Sequence, residues 1–293
     1  EGEKILNQHK IPNFRFPERA VRALGEMWKW RRSVIHRSLE IKALGHTDIP
    51  FESNTTSDIT VSEIIQNAKD KNVHSKKIVL NSFEVERIFK AWNILTPQSG
   101  AVMTLPDAIT FAERVKWPVV LKIISSKILH KTELGGVFLD IKSREELEKA
   151  YALLNHKINE MDDETRESSL IQIQKQTSKG VELILGVKKD LNFGHVMMFG
   201  AGGVLAEIIQ DKNLKLLPVD RFNSTSFIEN SRIAKVLKGF RGDSAYPIAK
   251  LQFLMEKMSD LVQAFPEFEE IEINPVIITH DDIWAVDGKA IIS

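Results

Sequence analysis

The chain has 293 residues, 43% hydrophobic and 27% charged, which suits one large core or two smaller ones and excludes a disordered chain. Forty basic residues balance forty acidic ones, so no global field favours nucleic acid or anionic lipid. The absence of cysteine excludes disulfides, thiolate nucleophiles, cysteine zinc sites and iron–sulfur clusters, and the eight histidines are too scattered for a metal-binding tract.

The chain starts at Glu1 without a methionine, as a piece of something longer would. No opening segment joins a basic start to an apolar run, so secretion is not expected and the cytoplasm is the expected compartment. Residues 11–18, IPNFRFPE, read as a Pro-punctuated strand, followed by a helix in which Ala20, Val21, Leu24, Met27 and Trp28 share a face and Pro17 suits the start. Arg19, Arg22, Lys29, Arg31 and Arg32 surround Trp28 and Trp30, which fits either an RNA-binding helix or a solvated basic face; nothing else in the chain resembles a nucleic-acid module. Residues 45–60 are rich in Ser, Thr, Asp, Asn and Pro and read as a linker.

Helices are expected at Val61–Asn72, at Ser82–Trp92 with Ser82 as cap, and at Pro106–Val115. A β-rich run from Pro118 to Ile124 then delivers Lys122, and His130 stands eight residues later, ahead of Gly135 and Gly136. These are ordinary surface residues on one reading. On the other, they are a point charge for phosphate, a nucleophile or acid/base, and a turn bringing N–H groups to an anion. A strand at Val137–Ile141 and a helix at Ser143–His156 follow, Ser143 and Glu146 having capping-box spacing.

Leu170–Gln174 and Val181–Val187 read as strands around a polar turn at Thr177–Gly180, and His195–Phe199 and Val204–Ile209 as strands around GAGG. That stretch, residues 195–209, is the most apolar and is too short to span a bilayer. Leu214–Val219 fits a hairpin partner. Helices are expected at about Thr225–Leu237 and Tyr246–Phe265, the second with Ile248, Leu251, Leu254, Met255, Met258, Leu261 and Val262 in one stripe. Two closing strands, IEINPVII and IWAVDGKA, complete an alternation of helices and strands that predicts an α/β sandwich. Glu272 and Asn274 share a strand face, and Asp287 lies close enough for antiparallel pairing to bring it alongside. The trio is a hard-oxygen set suited to magnesium, or the polar face of an edge strand near Pro275.

There is no GxxxxGK[ST] loop, GAGGVL fails the dinucleotide pattern at Leu205, and neither HExxH nor GxSxG occurs. Four ordered stretches, PVVLKIISSKILHKTELGGV, GVELILGVKKDLNFGHVMMFGAGGVLAEIIQD, LKGFRG and IEINPVIITHDDIWAVDGKA, resemble the ATP-grasp domain of the NDP-forming acyl-CoA synthetases. That family includes the β part of ADP-forming acetyl-CoA synthetase and, more distantly, the β subunit of succinyl-CoA synthetase. The resemblance covers roughly residues 78–293 and implies an α/β ATP-grasp fold, two α+β subdomains enclosing a nucleotide site. By the same resemblance residues 1–44 look like the end of a CoA-ligase part, residues 45–76 are linker and helix, and residues 77–293 are the ATP-grasp domain with a smaller lid over about 100–174.

The resemblance implies that Lys122 holds nucleotide phosphates, that Glu182 accepts from the ribose hydroxyls, and that Gln174, Lys175 and Gln176 belong to the nucleotide site. It implies that Glu272, Asn274 and Asp287 hold magnesium, that Arg241 faces the phosphates, and that His130 is a phosphohistidine relaying phosphoryl between ligase part and nucleotide. Lys175 departs from the family, which usually has an acid there near adenine; a lysine only donates, which suggests tolerance of guanine. The implied cofactors are therefore ATP/ADP, with GTP/GDP as the second pair, and Mg. The implied partner is a CoA-binding ligase domain or subunit, in a hetero-oligomer or fused chain, with neither nucleic acid nor membrane. A carboxylate ligase acting through an acyl phosphate would not need the ILHK histidine. A regulatory module, as when this domain is attached to a protein acetyltransferase, is the alternative that Lys175 favours and the retained site set opposes.

Overall fold

A computed structural model of the chain describes residues 5, 6, 9, 13, 14, 16–28, 31, 55–73, 75–125, 135–203, 211–239 and 244–293. His130, Arg241 and the strand expected at Val204–Ile209 lie outside these residues. Two compact units divide the chain, residues 1–53 and 54–293. In the first, residues 17–28 are helical from Pro17 onward; the strand expected over residues 11–18 is not formed at its described positions, of which 13 and 14 are irregular and 17 and 18 helical.

The second unit runs α1 (Thr55–Lys71), β1 (Ile78–Leu80), α2 (Ser82–Ala91), β2 (Ser99–Val102), α3 (Leu105–Val115), β3 (Val119–Ile124), β4 (Val137–Ile141), α4 (Arg144–Asn159), α5 (Asp163–Glu167) and β5 (Leu170–Lys175). It continues with β6 (Val181–Asp190), β7 (Gly194–Ala201), β8 (Lys212–Leu216), α6 (Arg221–Glu229), α7 (Ala234–Leu237), α8 (Ile248–Ala264), β9 (Phe268–Ile278), β10 (Ile283–Ala285) and β11 (Gly288–Ile292). The strands form two antiparallel sheets. The larger has the order β1-β11-β9-β6-β7-β8, with β10 also paired to β9; the smaller has the order β2-β5-β3-β4.

Each sheet has its own core because each hides one face of alternating apolar residues. In the small sheet Val119, Leu121, Ile123, Ile171 and Ile173 pack on Phe111 of α3 and on Leu147 and Leu154 of α4. In the large sheet Val181, Leu183, Leu185 and Val187 of β6 meet the expected α8 stripe, with Leu251, Met255, Met258, Leu261 and Val262 buried. Burying each such side chain contributes about 1.5–3 kcal/mol. The second faces of β3 and β5, which carry Lys122, Gln172 and Gln174, are buried too, but against polar partners.

Several expectations are corrected. The helix expected from Val61 begins at Thr55, inside the stretch read as linker. Asn81, not Ser82, caps α2: its side chain accepts from Phe83 N and Glu84 N while Glu84 returns a bond to Asn81 N, leaving Ser82 inside the first turn. Ser143 does cap α4, but Glu146 Oε2 accepts from Lys142 N, one residue earlier than a capping box requires. The single helix expected over Thr225–Leu237 is two, with α6 starting earlier on an Asp220 cap. The strand carrying Glu272 and Asn274 is no edge. β9 lies between β6 and β11, and Pro275, which has no N–H to give, sits where the β6–β9 register shifts between Leu183 and Leu185.

On α8, Asp260 is half-buried, and its pKa is pushed up to about 6, first by burial, then by repulsion from Glu256 and Asp220, with Lys257 acting in opposition. A carboxyl group with a raised folded pKa contributes stability that is full below its unfolded value of 3.8 and lost as pH rises through about 6. Asp260→Asn should therefore leave Tm unchanged near pH 4 and raise it at pH 8. Discounted for solvent screening, the gain is about 1 kcal/mol, or roughly 2–4 °C in a thermal melt.

Candidate functional site

Alternation along β3 turns Leu121 and Ile123 to the helices and Lys122 to the other face, where it is 5% exposed. A lysine buried this deeply needs partners. Its Nζ lies 3.4 Å from Gln174 Oε1 on β5, 3.4 Å from the Val286 carbonyl oxygen and 3.8 Å from Asp287 Oδ1. Gln174 Nε2 also donates to the Val286 carbonyl at 3.2 Å. The lysine of one sheet thus reaches the connection between β10 and β11 beside the other.

Asp287 sits in that connection and Asn274 lies opposite, its N–H donating to the Asp287 carbonyl at 3.0 Å. Asn274 Nδ2 is 3.3 Å from Glu272 Oε1 on the same strand face, and Lys289 is the register partner of Glu272. The pairing expected of Asp287 with the Glu272 strand is present, although the strand expected over IWAVDGKA is broken into β10 and β11 at Val286 and Asp287. Among the described residues no three His, Cys, Asp or Glu side chains gather around a metal position. Two carboxylates and an amide oxygen nevertheless fit magnesium, which keeps waters and draws further oxygens from phosphate.

Glu182 opens β6 with an exposed side chain, and its carbonyl accepts from Gly202 N at 2.8 Å. Gly203 has φ +54°, and a Cβ there would stand 1.9 Å from Glu182 Oε2, so the glycine makes room for the carboxylate. Lys175 turns its ammonium to the carbonyls of Lys116 at 2.7 Å and Trp117 at 3.0 Å, and burial lowers its pKa. Gln176 Oε1 accepts from Asp140 N at 2.6 Å. Lys122, Gln174 and Asp287 are therefore brought together, Glu272 and Asn274 adjoin them through the Asn274–Asp287 contact, and Lys175 and Gln176 point their side chains into the small sheet's own framework.

Glu86 on α2, Gln172 on β5 and Thr96 line the cleft and went unread in the sequence, as did Ser99 on β2 behind Glu86. The Glu86 carboxylate accepts from both Ser99 Oγ and Gln172 Nε2, the latter at 3.1 Å. Gln172 is 1% exposed, and its Oε1, like Thr96 Oγ1 in the same cleft, has no protein partner, so the cleft offers polar atoms for a ligand or ordered water to satisfy. The only signal was weak: in LIQIQK glutamines alternate with isoleucines, which an ordinary half-exposed strand shows equally.

Two antiparallel sheets with their helices, meeting at a cleft around a buried lysine with an oxygen-rich strand end across from it, are the ATP-grasp architecture. The family model described as the ATP-grasp domain matches residues 71–292. The chain is 30% identical over its whole length to the ADP-forming acetate–CoA ligase I of Archaeoglobus fulgidus and spans 40% of that protein. It is 30% identical to the β subunit of ADP-forming acetate–CoA ligase I of Pyrococcus furiosus, over 78% of this chain and 97% of that one. A solved acetyl-coenzyme A synthetase 1 of Ca. Korarchaeum cryptofilum, in complex with coenzyme A and Ca-AMPCP, superposes with a TM-score of 0.71 at 28% identity, over 79% of this chain and 99% of that one. The chain belongs to the ATP-grasp family, in the branch of the ADP-forming acetyl-CoA synthetase β subunits and domains.

Proposed function

We propose that residues 77–293 are the nucleotide-binding, phosphoryl-transferring part of an NDP-forming acyl-CoA synthetase, which interconverts acyl-CoA, NDP and phosphate with acid, NTP and CoA. The observation that carries this reading is the placement of the Lys122 ammonium, buried 3.8 Å from Asp287 at the oxygen-rich end of β9 and β11. In the NTP-consuming direction a nitrogen of neutral His130 attacks the γ-phosphorus; the N–P bond forms as the bond to the β-phosphate oxygen breaks and NDP leaves. Lys122 and Arg241 stabilise charge on the transferring group, which dominates phosphoryl transfer. Glu272, Asn274 and Asp287 would hold magnesium, which when bound neutralises phosphate charge. Two further structures of the Korarchaeum synthetase support the histidine's role: one carries a phosphorylated phosphohistidine segment, and one binds Mg-AMPPCP with that segment pointing towards its nucleotide site.

Residues 1–44 are, in this reading, the end of a CoA-ligase part, and a CoA-binding partner, separate or fused, completes turnover. The Pyrococcus relative is a separate β subunit, whereas the Archaeoglobus relative is more than twice the length of the matched region. The adenine pair ATP/ADP is favoured over GTP/GDP, because the Lys175 ammonium is taken up by the Lys116 and Trp117 carbonyls and offers guanine no donor. Titration with ADP and GDP reads this directly, and equal affinities would overturn it.

The whole reading is tested by incubating the chain with magnesium and γ-labelled ATP. Acid-labile, base-stable label is expected; none, even with a CoA-ligase partner added, would end the catalytic reading. A milder variant probes the ribose end. In Gly203→Ala the new Cβ displaces the end of the Glu182 side chain rather than backbone, and alanine at φ +54° costs only about 1–2 kcal/mol, so the fold should persist at a lower Tm while ADP affinity by calorimetry falls about tenfold.

A further inference from the structure

We infer that Glu86 is a positioning residue for the cleft: from α2 it holds the small sheet in place and thereby sets where the Lys122 ammonium stands. Its relevance to turnover rests on the proposed phosphoryl transfer; its structural test does not.

The Glu86 side chain is 12% exposed. Its Oε2 accepts from Ser99 Oγ on β2 and from Gln172 Nε2 on β5, and its Oε1 from Lys90 Nζ one helical turn on, at 2.5 Å. A carboxylate only accepts, so it fixes the Gln172 amide with its nitrogen toward α2, and charge-assisted bonds of this kind are stronger than neutral ones. Gln172 is the register partner of Lys122 across β5 and β3, and Gln174, two residues further on the same face, supplies Oε1 to the ammonium. Any shift of β5 therefore moves the lysine's neighbour and its acceptor together.

The same helix shapes the opposite wall. A Cβ on Gly288 would lie 2.5 Å from the Phe89 ring and 2.6 Å from Val85 Cγ1, so α2 packs on the backbone directly after Asp287. One ten-residue helix thus touches both sides of the Lys122–Asp287 gap, by hydrogen bonds on the lid side and by apolar packing on the other.

Two substitutions separate placement from bulk. Glu86→Leu keeps side-chain volume but leaves the Ser99 hydroxyl and the Gln172 amide without their acceptor, whereas Glu86→Gln still presents an oxygen to both. On the folded proteins, acylation of Lys122 by an amine-reactive ester, read by peptide mass spectrometry, should rise about fivefold or more in Glu86→Leu and stay at the parental level in Glu86→Gln. The rate of label transfer at saturating ATP should fall about tenfold in Glu86→Leu with ADP affinity within about threefold, and recover in Glu86→Gln. Should Glu86→Leu not fold, Gln172→Met severs the same bond from β5 and carries the same expectation for Lys122. Parental Lys122 reactivity in the folded Leu or Met variant, or equal impairment of the Leu and Gln variants, overturns the inference. Failure of the parent to take label even with a CoA-ligase partner added would end the functional reading while leaving the Lys122 comparison to decide the role of Glu86.

Discussion

His130→Ala should carry no acid-labile label after incubation with magnesium and γ-labelled ATP, with ADP affinity within about twofold of the parent. The two readouts separate because the imidazole is the acceptor of the transferred group, whereas the nucleotide is held by lysine, carboxylate and metal. A neutral imidazole nitrogen is a competent nucleophile near pH 7, and two short transfers avoid exposing the phosphoryl group to water over one long path. The other described histidines outside the first unit are poor stand-ins. His195 Nε2 lies 2.8 Å from the Phe268 carbonyl, the His280 ring stacks on Tyr246 with centroids 4.4 Å apart, and His156 stands on the exposed face of α4, 3.6 Å from Glu160. Filter-binding of label before and after acid treatment is the measurement. Undiminished label in the variant would move the phosphoryl acceptor to another residue and remove the relay.

Much of the architecture was legible because its signals are local. The runs Leu170–Gln174, Val181–Val187 and His195–Phe199, set off by polar or glycine turns, marked β5 to β7, and the stripe from Leu251 to Val262 marked α8. The ends of elements were less legible, because caps compete at adjacent positions: Asn81 and Ser82 are both good caps, and the bonds that Asn81 exchanges with Phe83 and Glu84 decide between them. The candidate site divides the same way. Lys122 stood out as a charge inside an apolar strand, and Glu272, Asn274 and Asp287 as oxygen donors at pairing distance. Their neighbours did not stand out. Glu86 meets Gln172 across 86 positions of sequence, and the Val286 contribution is a backbone carbonyl, to which sequence is blind. At Lys175 sequence is blind in the same way, because the acceptors of its ammonium are the backbone carbonyls of Lys116 and Trp117.

Lys122→Met should lower the rate of label transfer by about 10²–10³-fold, the scale expected when one preorganised charge aimed at a transferring group is removed. Methionine matches the lysine stem in length and suits a site already buried on β3, so the small sheet keeps its core of Leu121, Ile123, Ile171 and Ile173. What the variant loses is the ammonium shared among Gln174 Oε1, the Val286 carbonyl and Asp287. Lys122→Arg separates charge from shape. It restores the charge, but a planar fork replaces a compact ammonium among three converging acceptors, so the rate should return only in part. Single-turnover transfer measured beside ADP titration distinguishes the outcomes. A fall in rate far exceeding the loss of affinity places the lysine's contribution in the transition state; equal falls would make it a binding residue only. Parental transfer in Lys122→Met would mean that another cation holds the phosphates and that the buried lysine serves to join the two sheets.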